Sequence, residues 1–94
     1  MTEARIIKRP DDKWDVVLID VQRNEYNSIA GSPALGLSSA EAVQAFIGFE
    51  YAGAVRPDAN LFVFDGKGGE MYHGAVYQFL QGDVKLEEMT EAQT

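Results

Sequence analysis

The stretch SSAEAVQAFIGFEYAGAVRP, residues 38–57, decides the fold class. Ser38 precedes Glu41 by three residues, the spacing at which a hydroxyl and a carboxylate each satisfy a free amide of a helix's first turn, so a helix begins there. Ala40, Val43, Phe46, Ile47, Tyr51 and Ala54 recur at helical spacing and form the expected core-facing stripe, while Glu41, Gln44 and Gly48 fall elsewhere. Gly53 is placed to end the helix in a left-handed cap, and Pro57 prevents its resumption.

On each side of this helix lies a hairpin pattern. Upstream, Ala4 to Arg9 is apolar at Ile6 and Ile7, Pro10 to Lys13 supply turn chemistry, and Trp14 to Val21 is rich in β-branched residues. Both faces of that second run are partly apolar, so its far half is expected to be central and covered. Downstream, Leu61 to Phe64 is continuously apolar, Asp65 to Gly69 is a glycine-rich turn, and Met71 to Leu80 reads as a second strand. Gly74 interrupts that strand, where glycine marks a bulge or the close approach of a neighbour.

Gln22 to Leu37 shows neither period and contains Asn24, Asn27, Ser28, Gly31, Ser32, Pro33 and Gly36, so it reads as a long loop and as a contact surface. The sum is an α+β domain of order β-β-α-β-β: a small antiparallel sheet with one helix packed on one face. Residues 1–82 form this single domain. Residues 83–94 are an acidic C-terminal tail, expected to be frayed, with a short helix over Lys85 to Ala92 as the alternative.

Ninety-four residues with 46% hydrophobic side chains suffice for one core and not for two. The absence of cysteine excludes disulfides, thiolate nucleophiles and cysteine-bearing metal sites, and fits a reducing compartment. No signal-peptide run or membrane-length apolar segment occurs, so the expected location is cytoplasmic, with no membrane partner. The net charge is −7, and residues 1–23 hold five basic and five acidic side chains, so the entire excess lies after Arg23. Such a body repels phosphate backbones, which disfavours direct nucleic-acid binding and favours a basic protein partner; solubility is the plainer use of the same charge.

Signals for chemistry are sparse. Pro57, Asp58, an apolar strand, then Asp65, Gly66 and Lys67 resemble the nuclease motif in which two carboxylates hold magnesium and a lysine polarises water. Its spacing here is short, its lysine sits among turn glycines, and a hairpin turn explains it more simply. Gly66 to Gly69 lacks the following helix of a phosphate cradle and the acidic ladder of a calcium loop. His73 is the only histidine and has no evident partner, and none of Ser28, Ser32, Ser38 or Ser39 is paired with a base. Phe62, Phe64, Tyr72, Tyr77 and Phe79 could stack unpaired bases only beside a basic groove, so core packing is expected of them. No catalytic residue, metal site or cofactor is expected.

In size, acidity, lack of cysteine and sheet-plus-helix plan, the whole chain resembles small phage-encoded inhibitors, of which anti-CRISPR proteins and DNA mimics are examples. The resemblance rests on overall character and transfers no site residues. It implies a non-enzymatic protein that acts in the host cytoplasm and blocks a nucleic-acid-binding complex with carboxylates standing in for phosphates. The acids for that task are Glu25, Glu41, Glu50, Asp58, Asp65 and Glu70, with Tyr26 as an anchor in the long loop. A structural or adaptor subunit, capable of self-association, explains the same composition, and exposure of Ile29, Leu35 or Leu37 would favour it. A metal-dependent nuclease comes third.

Overall fold

The computed structural model describes residues 2–20, 25–26 and 33–86. Thr2–Lys8 (β1) and Trp14–Asp20 (β2) pair antiparallel in register from Thr2↔Asp20 to Lys8↔Trp14, the expected first hairpin. Its turn closes through Arg9 N–H to Lys13 O at 2.8 Å, with Asp12 at φ +63° and the Asp11 carboxylate accepting the Lys13 amide at 3.1 Å. An aspartate that bonds the backbone two residues on, followed by one that tolerates the left-handed region, is what this turn requires.

The long segment after β2 is not structureless throughout. Glu25–Tyr26 (β3) and Ala34–Leu37 (β4) both pair antiparallel with the outer edge of β2, through Ile19↔Tyr26 and through Trp14↔Leu37 and Val16↔Ala34. The pairing is legible only in three dimensions, because neither piece is long enough to show a period. Ile29, a proposed contact residue of this loop, lies outside the described residues.

Ser39–Tyr51 (α1) then crosses the sheet. Its cap is the predicted one: Ser38 Oγ accepts the Glu41 amide at 3.1 Å and Glu41 Oε1 accepts the Ser38 amide at 2.9 Å. At the far end Gly53, at φ +76°, donates to Glu50 O, and Ala54 donates to Phe49 O at 2.8 Å, the paired bonds of a Schellman stop. Thirteen helical residues span about 20 Å, close to the length of β1. The helix therefore returns the chain to the end of the sheet where β1 starts.

That crossover corrects the expected topology. Asn60–Phe64 (β5) begins at the same end as β1 and pairs with it in parallel, Ala4↔Leu61 to Ile7↔Phe64. The sheet is mixed rather than wholly antiparallel, ordered β3-β2-β1-β5-β6, with β4 also on β2. Glu70–Ala75 (β6) completes the second hairpin antiparallel to β5. The expected strand over Met71 to Leu80 ends at Ala75, where a short helix, Val76–Leu80 (α2), begins. Val76 and Phe79, both buried, have helical spacing, and the Val76 and Tyr77 amides find the carbonyls of Ala59 and Pro57.

One core lies between the sheet and the helices. Ala4, Ile6, Trp14, Val16, Leu18, Leu61 and Val63 face Ala42, Phe46, Phe49, Val76 and Phe79. Phe46 meets Phe49 and Phe79 edge to face at 5.8 and 5.5 Å between centroids, a favoured aromatic arrangement. Leu86 belongs to the same core, so packing extends past residue 82 into the segment expected to be tail. On the other face of β2, Val17 and Ile19 are also buried, as the two-sided apolar pattern predicted.

Candidate functional site

The outward side of α1 differs from its expected phase. Ala42, Phe46 and Phe49 form the buried seam, whereas Ala40, Ile47 and Tyr51, which the stripe placed inward, are exposed. Ile47 is 47% exposed and Tyr51 95%. At 3.6 residues per turn Tyr51 lies opposite Ala42, with Ile47 one turn below it and Gln44 and Ala40 alongside. Two phenylalanines outweigh an isoleucine and a tyrosine in the competition for the core, since burial gain scales with apolar area and the phenol also has a hydroxyl to satisfy. Phe49, omitted from the expected stripe, was the available signal.

Gly48 sits mid-helix on this side, and a Cβ built there meets nothing within 4 Å. Nothing in the fold requires glycine at this position, yet glycine in a helix interior costs about 1 kcal/mol relative to alanine. Glu41 and Glu50 flank the apolar strip on opposite sides, about 13 Å apart along the axis. No lysine, arginine or histidine occurs between Arg23 and Arg56, so the helix carries no cation. Glu41 holds its carboxyl below the ordinary range, chiefly because the charged form accepts the Ser38 backbone amide, with the Ser38 hydroxyl and Lys13 adding to this.

The candidate acids do not converge on one surface. Asp65 is 3% exposed rather than exposed as expected. Its Oδ1 accepts the amides of Lys67 at 2.8 Å and Gly69 at 2.7 Å, and it organises the β5–β6 turn. Glu70 and Glu41 stand at the same end of the sheet as that turn, whereas Glu50 and Asp58 stand at the other. Asp58 pairs with Arg56 at 3.1 Å. Glu50 and Glu70 are exposed and make no ion pair among the described residues. Glu25 and Tyr26 fall on β3, and their side chains lie outside what the structure describes.

Asp58 and Asp65 flank β5 at opposite ends, roughly 20 Å apart at strand rise, so the two carboxylates of the nuclease pattern cannot share one metal ion. Among the described residues no group of three or more His, Asp or Glu side chains is placed to hold a metal. The hairpin at residues 65–69 is the turn that the glycines indicated.

The sheet face away from the helices holds the second departure from expectation. Phe79 is in the core, but Phe62 and Phe64 alternate with Leu61 and Val63 and so face the other way. Phe62 stacks on His73 with centroids 4.2 Å and planes 14° apart, and on Phe64 at 6.1 Å. The Arg5 guanidinium lies 5.8 Å from the Phe64 centroid and 2.8 Å from Glu3, so its charge is already partnered. Ile7, Val17 and Leu35, with Asp15 and Pro33, line a shallow hollow on the same face, where Leu35 is 59% exposed. Leu37, by contrast, packs against the core.

No helix among the described residues is long and apolar enough to cross a membrane. Compared with protein-family models, curated proteins and solved structures, the chain matches none.

Proposed function

We propose that this domain is a non-enzymatic, protein-binding inhibitor whose target presents a basic, nucleic-acid-binding surface, in the manner of phage-encoded anti-CRISPR proteins and DNA mimics. The observation that carries this reading is the separation of charge. The basic residues of the first hairpin are largely neutralised within it, Arg5 on Glu3, Lys8 on Asp12, and Arg9 on Asp11 and Asp15. Residues 24–55 contain no base at all, and Glu50 and Glu70 stand unpaired among the described residues. Unneutralised carboxylates at both ends of the domain, with no base in residues 24–55 between them, steer an oppositely charged partner.

Asp65, buried in its turn, has no part in this contact, and its acids are the exposed Glu41, Glu50 and Glu70. The test is capture from bacterial lysate by the immobilised protein at low and at high salt. Stoichiometric capture of a basic nucleic-acid-binding protein, lost at high salt and weakened at least tenfold by Glu41→Gln, Glu50→Gln and Glu70→Gln together, is the expected result. Capture indifferent to both salt and that triple change overturns it.

A second reading, a structural or adaptor subunit, draws on the exposure of Leu35 beside the hollow on the open sheet face. Salt-resistant self-association abolished by Leu35→Asp is the result that would favour it.

A further inference from the structure

We infer that the outward side of α1 is a docking surface for a basic amphipathic helix of the partner, crossing α1 at Gly48; the inference rests on the acidic-binder reading and names its contact. Three features of the surface converge: its exposed anchors, its glycine and its charges. Ile47 and Tyr51 are apolar anchors left in water at neighbouring helical positions, although inward positions on the same helix are filled by alanine and phenylalanine. Gly48 lies beside them with open space where a Cβ would stand. Where two helices pack with a small residue at the crossing, their backbones approach closely, and a glycine on an otherwise unconstrained helix surface has that use.

The charges select the occupant. Glu41 and Glu50 lie on either side of the strip, and α1 carries no cation, so the complementary surface is a helix with apolar residues along one stripe and lysine or arginine flanking it. The same charges oppose a second copy of this chain. Two α1 helices packed across Gly48 would bring glutamates together with no base to meet them, and like charges across an interface are unfavourable. The anchor pair Ile47 and Tyr51, spaced four apart, matches the spacing by which an interfacial helix presents its side chains.

The experiment is a titration of the uniformly ¹⁵N-labelled protein with a synthetic 20-residue amphipathic helix of leucine, alanine and lysine, followed by amide chemical shifts. The comparison is with Gly48→Leu, a change that leaves net charge untouched and whose Cβ meets no atom within 4 Å. Saturable shifts centred on Gln44, Ile47, Gly48 and Tyr51, with affinity at least tenfold lower for Gly48→Leu and for Tyr51→Ala, are expected. Shifts centred elsewhere, no saturable binding, or equal affinity of wild type and Gly48→Leu overturn the docking surface. The lysate capture separates the two claims. Salt-dependent capture unchanged by Gly48→Leu removes this contact and leaves the acidic binder standing, whereas capture indifferent to salt and to the glutamine triple removes the broader reading.

Discussion

The Asp15 carboxylate lies 2.9 Å from the amide nitrogen of Gly36 and so ties β2 to a strand that begins fourteen residues after β2 ends. The same Oδ1 accepts Arg9 Nη1 at 3.2 Å, which connects the first turn, β2 and β4 through one oxygen. Asp15→Ala should cost about 1–2 kcal/mol, the range of a partly exposed charge-assisted bond. Denaturant unfolding measures that cost. Hydrogen exchange should show the Gly36 amide losing protection while the β1–β2 ladder keeps its own; uniform loss across the sheet would refute a local tie.

Gly74 is held to glycine by what lies over it. The Tyr72 hydroxyl donates to Gln78 Oε1 at 2.9 Å, the same oxygen accepts the Ala75 amide at 3.0 Å, and a Cβ on Gly74 would overlap both side chains. Gly74→Ala should destabilise by about 1–3 kcal/mol through overpacking. In a Tyr72→Phe background the penalty should shrink without vanishing, because the hydroxyl is the nearest obstacle and the ring carbon behind it remains close. Equal penalties in the two backgrounds would refute the steric account.

Ser38→Ala removes the acceptor for the Glu41 amide and should cost about 0.5–2 kcal/mol. The pH dependence comes from the other half of the box. The folded state holds the Glu41 carboxyl below its ordinary 4.5, so its contribution is complete above that value and is lost as pH falls through the lowered folded one. Glu41→Gln keeps an acceptor but cannot titrate. Wild type should therefore be the more stable at pH 7, with the difference closing as pH falls below 4.5. A difference independent of pH would mean that the charge adds nothing to the cap.

What could be read in advance follows the range of the interaction concerned. Caps and turns are local chemistry, so the Ser38–Glu41 box, the Gly53 stop and both hairpin turns were legible from spacing alone. Which edge a strand pairs with is not local. The parallel β1–β5 contact depends on α1 carrying the chain across the sheet, and β3 and β4 exist because β2 offers a free edge to short segments. Among the acids, Asp65 has the charge that mimicry asks for, but an aspartate opening a glycine turn is placed to bind amides, and that cue points inward.

The phase of α1 yields the last prediction, because stability and binding should move independently on its two sides. Phe46 is fully buried and meets two other rings, so Phe46→Ala should cost about 3–5 kcal/mol. Tyr51→Ala, on the opposite side, should stay within about 0.5 kcal/mol of wild type, the usual range for exposed positions. Gly48→Ala should raise stability by up to about 1 kcal/mol, since it removes backbone freedom from the unfolded chain and adds a methyl where there is room. Thermal or urea unfolding of the three variants decides the phase. A Gly48→Ala that destabilises would mean that the fold itself needs the glycine. A stabilised variant would mean that this chain carries a less stable helix than its own packing demands, as expected of a surface kept flat for contact with another molecule.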